Sequence, residues 1–247
     1  ISGFDEDSKA EELRKLHPLL SSPAVASKKV ALIVVSSDKG LCGGYNTNIL
    51  RKAHKTYEAL LEEGAELELF FIGKKGYEFF KKNGVAGHWF ETFWQDAFTA
   101  AKTNEVAKRF VDGFLSDEFS RVEVCYTEFK SALTQFQKQK TLIPLQSTKS
   151  QIRAGSMSKE SLEIIYKPNK KQLLDKLVPK QVETQFFRVF ADALASELGA
   201  KMTAMDSATT NAKDMINKLT LDANRLRQAA ITTELMEIVS GAESLKG

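Results

Sequence analysis

The chain has 247 residues, 43% of them hydrophobic and 27% charged, with a formal net charge of +3. That length permits one large domain, or one domain with an extension, and the composition suits a packed core under a charged surface. So small a net charge does not by itself imply nucleic acid. Lysines gather at Lys74, Lys75, Lys81 and Lys82, and again at Lys167, Lys170, Lys171, Lys176 and Lys180. Neither cluster is interleaved with aromatics as a single-strand groove would be, so solvated faces, or contacts to acidic protein surfaces, are expected instead. Cys42 and Cys125 form no CxxC pair, and His17, His54 and His88 lack ligand spacing with them, so reduced thiols and no metal are expected. No apolar run approaches the roughly 20 residues that cross a bilayer, and no secretory signal opens the chain. Membrane association is therefore expected only through partners, and a start at Ile1 suggests a preceding segment.

In chain order, residues 1–27 read as the end of a helix near Leu16 and a loop holding Pro18 and Pro23. Val30 to Ser36 is a run of the kind buried on both faces of a sheet, and Leu67 to Ile72 is a second. Between them DKGLCGGYN, residues 38–46, makes a glycine-containing turn, and residues 47–62 have helical periodicity with Asn46 or Thr47 as cap. A short helix ends near Asn83 and Gly84, a third strand is expected at 85–90, and an amphipathic helix at 98–115. Another strand covers 122–126. Segments 137–146 and 162–166 suggest a strand pair added antiparallel at one edge, around a polar loop at 147–158. Helix restarts at 170–177, and Pro179 suits the first turn of a much longer one.

From about Val182 to Leu245 the pattern is an unbroken helix, roughly 90 Å if straight. Its apolar and small residues recur in steps of four and three: Leu198, Met202, Met205, Thr209, Ala212, Ile216, Leu219, Ala223, Leu226, Ala230. A period near 3.5 is the seam of a left-handed coiled coil, and this seam has no evident partner in the chain. After Ala230 the set becomes Ile231, Leu235, Ile238, Ala242, Leu245, displaced by one residue, so the terminal turns present another face. Arg225, Arg227 and Gln228 stand just before the shift, either on a solvated face or within reach of a neighbour's carboxylates.

The expected fold is thus α/β, a Rossmann-like, mostly parallel sheet domain at 28–178, with a long C-terminal coiled-coil helix at 179–247 and a helical tail and loop at 1–27. Catalytic chemistry is hard to find. The glycine turn is not GxGxxG and has no lysine followed by serine or threonine as in a P-loop, so Gly40, Gly43 and Gly44 are expected to serve a tight turn and close packing. There is no paired-carboxylate motif, GxSxG elbow or HExxH. Two readings stand: a mechanical subunit with a coiled-coil arm, or a Rossmann-like nucleotide-binding enzyme with a helical oligomerisation arm.

SSDKGLCGGYN (36–46) and ITTELMEIVSGAESL (231–245) resemble the two signatures of the gamma subunit of rotary F-type ATP synthases. In the second, Ile231, Thr232, Glu234, Glu237, Ile238, Gly241 and Ala242 fall on the family's positions. MTAMDSATTNA (202–212) and NRLRQAAIT (224–232) are similar to it as well, although Ala223 stands where the family often has an aromatic. The resemblance implies a non-catalytic rotor without cofactor. Its partners would be the alpha and beta subunits of the catalytic hexamer, the epsilon subunit and the membrane c-ring. It would lie peripherally on the cytoplasmic face of a bacterial inner membrane, or on the matrix side of a mitochondrial one. It further implies that Arg227 and Gln228 catch a loop of the beta subunit. The seam residues Met205, Ala212, Ile216, Leu219, Ala223 and Leu226 would pack on an antiparallel N-terminal helix, of which residues 1–27 would be only the tail.

Overall fold

The computed structural model describes residues 14–21, 29–89, 98–145 and 169–245. The helix expected before residue 14, the loop around Pro23, the polar loop at 147–158 and the strand at 162–166 lie outside them.

Strand β1, Lys29–Val35, is buried at every position after Lys29 because it has a parallel neighbour on each side and helices over both faces. Its neighbours are β2, Glu66–Ile72, and β4, Arg121–Phe129. The two-residue β3, His88–Trp89, pairs parallel with β2, and β5, Gln135–Ile143, pairs antiparallel with β4, giving the order β3-β2-β1-β4-β5. An antiparallel strand does lie at one edge, but its partner is β4; the expected second member of the pair, 162–166, lies outside the described residues. The expected third strand shortens to two residues.

Alternation along the strands divides the core in two. Ala31, Ile33 and Val35 share one face with Phe70, Ile72, Val122 and Val124, while Val30, Leu32 and Val34 share the other with Leu69, Phe71 and Cys125. The second face is covered by helix α1, Tyr45–Glu62, through Ile49, Leu50, Ala53 and Leu60, and by α2, Lys74–Lys82, through Phe80. The first is covered by α3, Ala100–Leu115, and by the early turns of α4, Lys170–Ser244. Phe98, expected inside α3, precedes its Thr99 cap and packs instead on Phe187, with 5.0 Å between ring centres. Both cysteines are buried free thiols, and burial pushes the Cys125 thiol up to about 11.

Helix α4 has 75 residues and begins earlier than its sequence suggests. Asn169 caps it, its side chain accepting from the Gln172 amide at 2.8 Å, so Pro179 lies well inside and not in the first turn. A proline there removes one ladder hydrogen bond. Val178 and Val182 on either side are buried in the sheet's core and hold the helix through that gap. Phe186, Val189, Phe190 and Ala193 continue the contact. Phe186 stacks on Phe110 at 5.9 Å and meets Phe190 edge-on at 6.0 Å. The domain boundary expected at 178/179 therefore falls inside a helix that belongs to the core. One compact unit takes in residues 1–201, and a second, residues 202–247, is helical as far as Ser244.

The Gly73 at the end of β2 is more constrained than any glycine of the 38–46 turn. Its φ is +98°, and a Cβ there would lie 2.0 Å from the Ser36 carbonyl oxygen. Gly73→Ala should cost at least about 1–3 kcal/mol and part the ends of β1 and β2, read as a lower urea midpoint. Phe186→Ala should cost about 3–5 kcal/mol by the same measurement. Leu219→Ala, on an exposed face of the second unit, should change the isolated chain's stability by less than about 0.5 kcal/mol.

Candidate functional site

In an open α/β sheet, ligands bind beyond the carboxyl end of the strand where the winding reverses. Here that strand is β1, flanked by β2 and β4, and the turn beyond it is 36–44. Leu41 and Gly43 adopt left-handed backbone, at φ 65° and 54°, so the turn needs the permissive residue at Gly43 and tolerates strain at Leu41. Gly40 meets no such demand, since a Cβ there would touch nothing within 4 Å.

The turn bonds to the amides that open α2, the helix after β2. At the start of α2 the Lys74 amide donates to Asp38 Oδ1 at 3.0 Å, the Lys75 amide to the Ser37 carbonyl at 3.0 Å, and the Gly76 amide to Ser36 Oγ at 2.8 Å. A carboxylate of the turn thus sits at the amino end of α2. On the other side, Asn46 does not cap α1 as its position suggests. Its Oδ1 accepts from the Ser37 amide at 3.1 Å, and its Nδ2 donates to Ser37 Oγ at 2.7 Å and to Cys42 Sγ at 3.2 Å. The cap falls on Gly44, without a side-chain bond. Asn46 instead pins the turn.

Tyr45 ties this turn to α4, its Oη donating to the Ala193 carbonyl at 3.2 Å. The phenol is wholly enclosed, and burial, with the Glu197 charge, raises its pKa beyond any physiological pH. One helical turn on, Ser196 Oγ donates to the Thr127 carbonyl at 3.1 Å and the Gln135 side chain donates to the Ser196 carbonyl at 2.9 Å. A helix-interior glycine is costly, yet Gly199 is placed where the β4–β5 turn comes close, its would-be Cβ 3.3 Å from Ala132 Cα.

Between α1 and α2 runs an open groove of about 680 Å³ with Leu50, His54 and Phe79 among its lining and Arg51, Lys55 and Lys82 at its rim. Of the first lysine cluster, Lys74 and Lys75 reach Glu78 and Lys81 lies over the Tyr77 ring. In the second, Lys180 pairs with Glu183, and Lys167 lies outside the described residues.

In the second unit the seam residues Met205, Ala212, Ile216, Leu219, Ala223 and Leu226 are all exposed, as are Arg227, Gln228, Ile231, Thr232, Glu234, Glu237, Gly241 and Ala242. At about 100° per residue, the seam from Met205 to Leu226 occupies one narrow stripe. The set from Ile231 to Leu245 is turned by about 100° from it, with Arg227 between the stripes and Gln228 at the far border of the second. The Thr232 hydroxyl donates to the Gln228 carbonyl at 2.8 Å, and Thr233 to Ala229 at 3.0 Å, so both hydroxyls are spent within the helix. Neither Asn46 nor Glu197, which is buried although charged by type, carried any sequence signal of its role.

A family model described as ATP synthase matches residues 4–245. An ATP synthase gamma chain of Geotalea uraniireducens is 42% identical over 241 residues, covering 96% of this chain and 82% of that one. The gamma chain of Geobacter sp. strain M21 is 43% identical with the same coverage, and that of Bdellovibrio bacteriovorus is 37% identical over 233 residues, covering 94% and 79%. Among solved structures, the fold matches a chain of the Euglena gracilis mitochondrial ATP synthase with a TM-score of 0.61 at 15% identity, covering 88% of this chain and 73% of that one. It also matches a chain of the Tetrahymena thermophila central stalk and c-ring with a TM-score of 0.55 at 16% identity, covering 81% and 85%. Continuous similarity from the glycine turn through the terminal signature, on the same sheet-and-long-helix fold, places this chain in the ATP synthase gamma-chain family.

Proposed function

We infer that the chain is the central rotor of an F-type ATP synthase, coupling rotation of a membrane ring to conformational change in the catalytic subunits. The observation that carries this reading is α4: one helix whose early turns are built into the core of an α/β domain and whose later turns carry a solvent-facing coiled-coil seam. A torque element needs this combination, a rigid hold at one end and a partner-facing surface at the other. The relatives' shared name and the extent of their similarity support it.

The subunit performs no chemistry on this reading. The amides at the start of α2 are occupied by Asp38, Ser37 and Ser36, and the turn that leads from β1 into α1 lacks the glycine fingerprint of a phosphate cradle. That argues against the alternative of a Rossmann-like nucleotide-binding enzyme. Among the described residues no helix is long and apolar enough to cross a membrane, which agrees with attachment through partners. Those partners are proposed to be the alpha and beta subunits of the hexamer, the epsilon subunit and the c-ring. The proposed setting is the cytoplasmic face of a bacterial inner membrane, in keeping with bacterial relatives.

Met205, Ala212, Ile216, Leu219, Ala223 and Leu226 would meet a second, antiparallel helix. The second stripe, Ile231, Leu235, Ile238, Ala242 and Leu245, would face the hexamer, with the signature residues Thr232, Glu234, Glu237 and Gly241 on the helix surface around it. Arg227 and Gln228 flank it, offering a planar fork of donors and an amide to carboxylates of a beta-subunit loop. A partner shifts a conformational equilibrium only by binding its states unequally, so this contact matters if it forms in one rotary state more than in others.

The purified chain should neither bind nor hydrolyse ATP in equilibrium dialysis and turnover assays; ATP turnover lost on altering the 38–44 turn would reverse the assignment. In the assembled enzyme, Arg227→Ala with Gln228→Ala should remove a charge-assisted contact contributing about 1.5–3 kcal/mol and slow coupled turnover about tenfold or more, with the isolated chain's stability unchanged. Coupled turnover equal to wild type would remove the catch from the mechanism.

A further inference from the structure

The groove between α1 and α2 lies wholly within the first unit and shares no residue with the seam, the second stripe or the pair Arg227 and Gln228. Its floor is apolar and recessed. Leu50 is only 7% exposed, and the half-buried rings of His54 and Phe79 meet edge-on with 6.0 Å between their centres. Arg51 and Lys55 on one wall and Lys82 on the other surround this floor, and all of them are exposed.

The carboxylates of the groove are engaged elsewhere. Glu78 lies 3.6 Å from the Lys74 ammonium and 3.0 Å from that of Lys75, whose hydrogen bond holds its carboxyl below the usual range. Glu58 lies 3.4 Å from His54 Nδ1. Among the described residues, Arg51, Lys55 and Lys82 have no carboxylate partner. Arg51 and Lys55 also stand one helical turn apart on α1, a spacing at which like charges destabilise a helix. The groove side of α1 thus carries an unfavourable pair of cations that no described carboxylate offsets.

Cations around a recessed apolar floor call for an occupant with apolar side chains to seat between the helices and carboxylates beside them. A membrane surface fits poorly, since insertion needs apolar side chains that project beyond the cations, and here the order is reversed. A small ligand needs most of its surface enclosed, which an open groove does not give. An acidic helix meets both demands. Its carboxylates recur at the one-turn spacing of Arg51 and Lys55, and helix-in-groove packing seats its apolar face. We propose that the groove between α1 and α2 docks an acidic amphipathic helix of another protein. Its apolar face rests on Leu50, His54 and Phe79, and its carboxylates meet Arg51, Lys55 and Lys82.

The test is amide NMR of the full chain titrated with a synthetic helical peptide of leucine, alanine and glutamate, its glutamates one turn apart beside a leucine stripe. The peptide should shift the resonances of α1 and α2, and replacing its glutamates by glutamine should weaken binding about tenfold or more. Arg51→Glu with Lys55→Glu alters exposed positions and leaves the floor intact, so the variant should melt as wild type does. It should lose affinity for the acidic peptide by a similar factor and bind a lysine version that wild type refuses. Vesicles of anionic phospholipid should leave α1 and α2 unshifted. Equal binding of the glutamate and glutamine peptides overturns the proposal, as does a charge-reversed variant that binds like wild type. Shifts confined to residues 202–245, where the seam offers a competing apolar stripe, also overturn it. So do shifts of α1 and α2 by vesicles but not by peptide, or none with either.

Discussion

Burial of the first turns of α4 against the sheet is the interaction on which the rest depends. Phe186 and Phe190 are completely enclosed, and with Val182, Val189 and Ala193 they join the core built by β1, β4 and α3. Each such side chain contributes about 1.5–3 kcal/mol when fully removed from water, so these few turns fasten the helix far more strongly than helix propensity would. A long helix without this hold would be a marginal element. With it, the same helix can transmit force, because the contact at its start is a packed interior with low compliance.

A second constraint governs the turn after β1. An α/β sheet of this topology presents free amides at the place where winding reverses, which is why so many such folds bind phosphates. Here Ser36, Ser37 and Asp38 instead bond the amides that open α2, the helix after β2, and Asn46 braces the loop from the other side. The scaffold is retained without the glycine fingerprint of a phosphate site. Fold and function part company at that point, as they often do, and what remains is a rigid platform bonded to α4 through Tyr45.

Much of this was legible in the residues. The β-branched run at 30–36 and the apolar run at 67–72 read as buried strands, and the seam read as a helix with a partner-facing stripe. Other features depended on contacts between distant segments. Asn46 has the composition of a helix cap, but Ser37 and Cys42 offered its amide better partners, so the cap fell to Gly44. Pro179 has the composition of a first helical turn, but Val178 and Val182 are held in the core on both sides of it, so the helix runs through. Gly73 showed no more signal than Gly40, yet of the two it is Gly73 that lies against a distant carbonyl, that of Ser36 just beyond β1.

Sequence by itself determined the elements whose pattern is local: the strands, the amphipathic helices, the seam and its shift after Ala230, and the two signature segments that mark the family. These follow from periodicity and backbone chemistry within a few residues. Tertiary structure decided how far along α4 the core extends, that Gly73 and not Gly40 has no room for a side chain, and that Asp38 and Glu197 are buried. Those outcomes turn on pairs far apart in the chain, such as Tyr45 with Ala193 and Ser36 with Gly73. No local pattern encodes such a pair, because the free energy of each contact exists only once the sheet has brought both partners together.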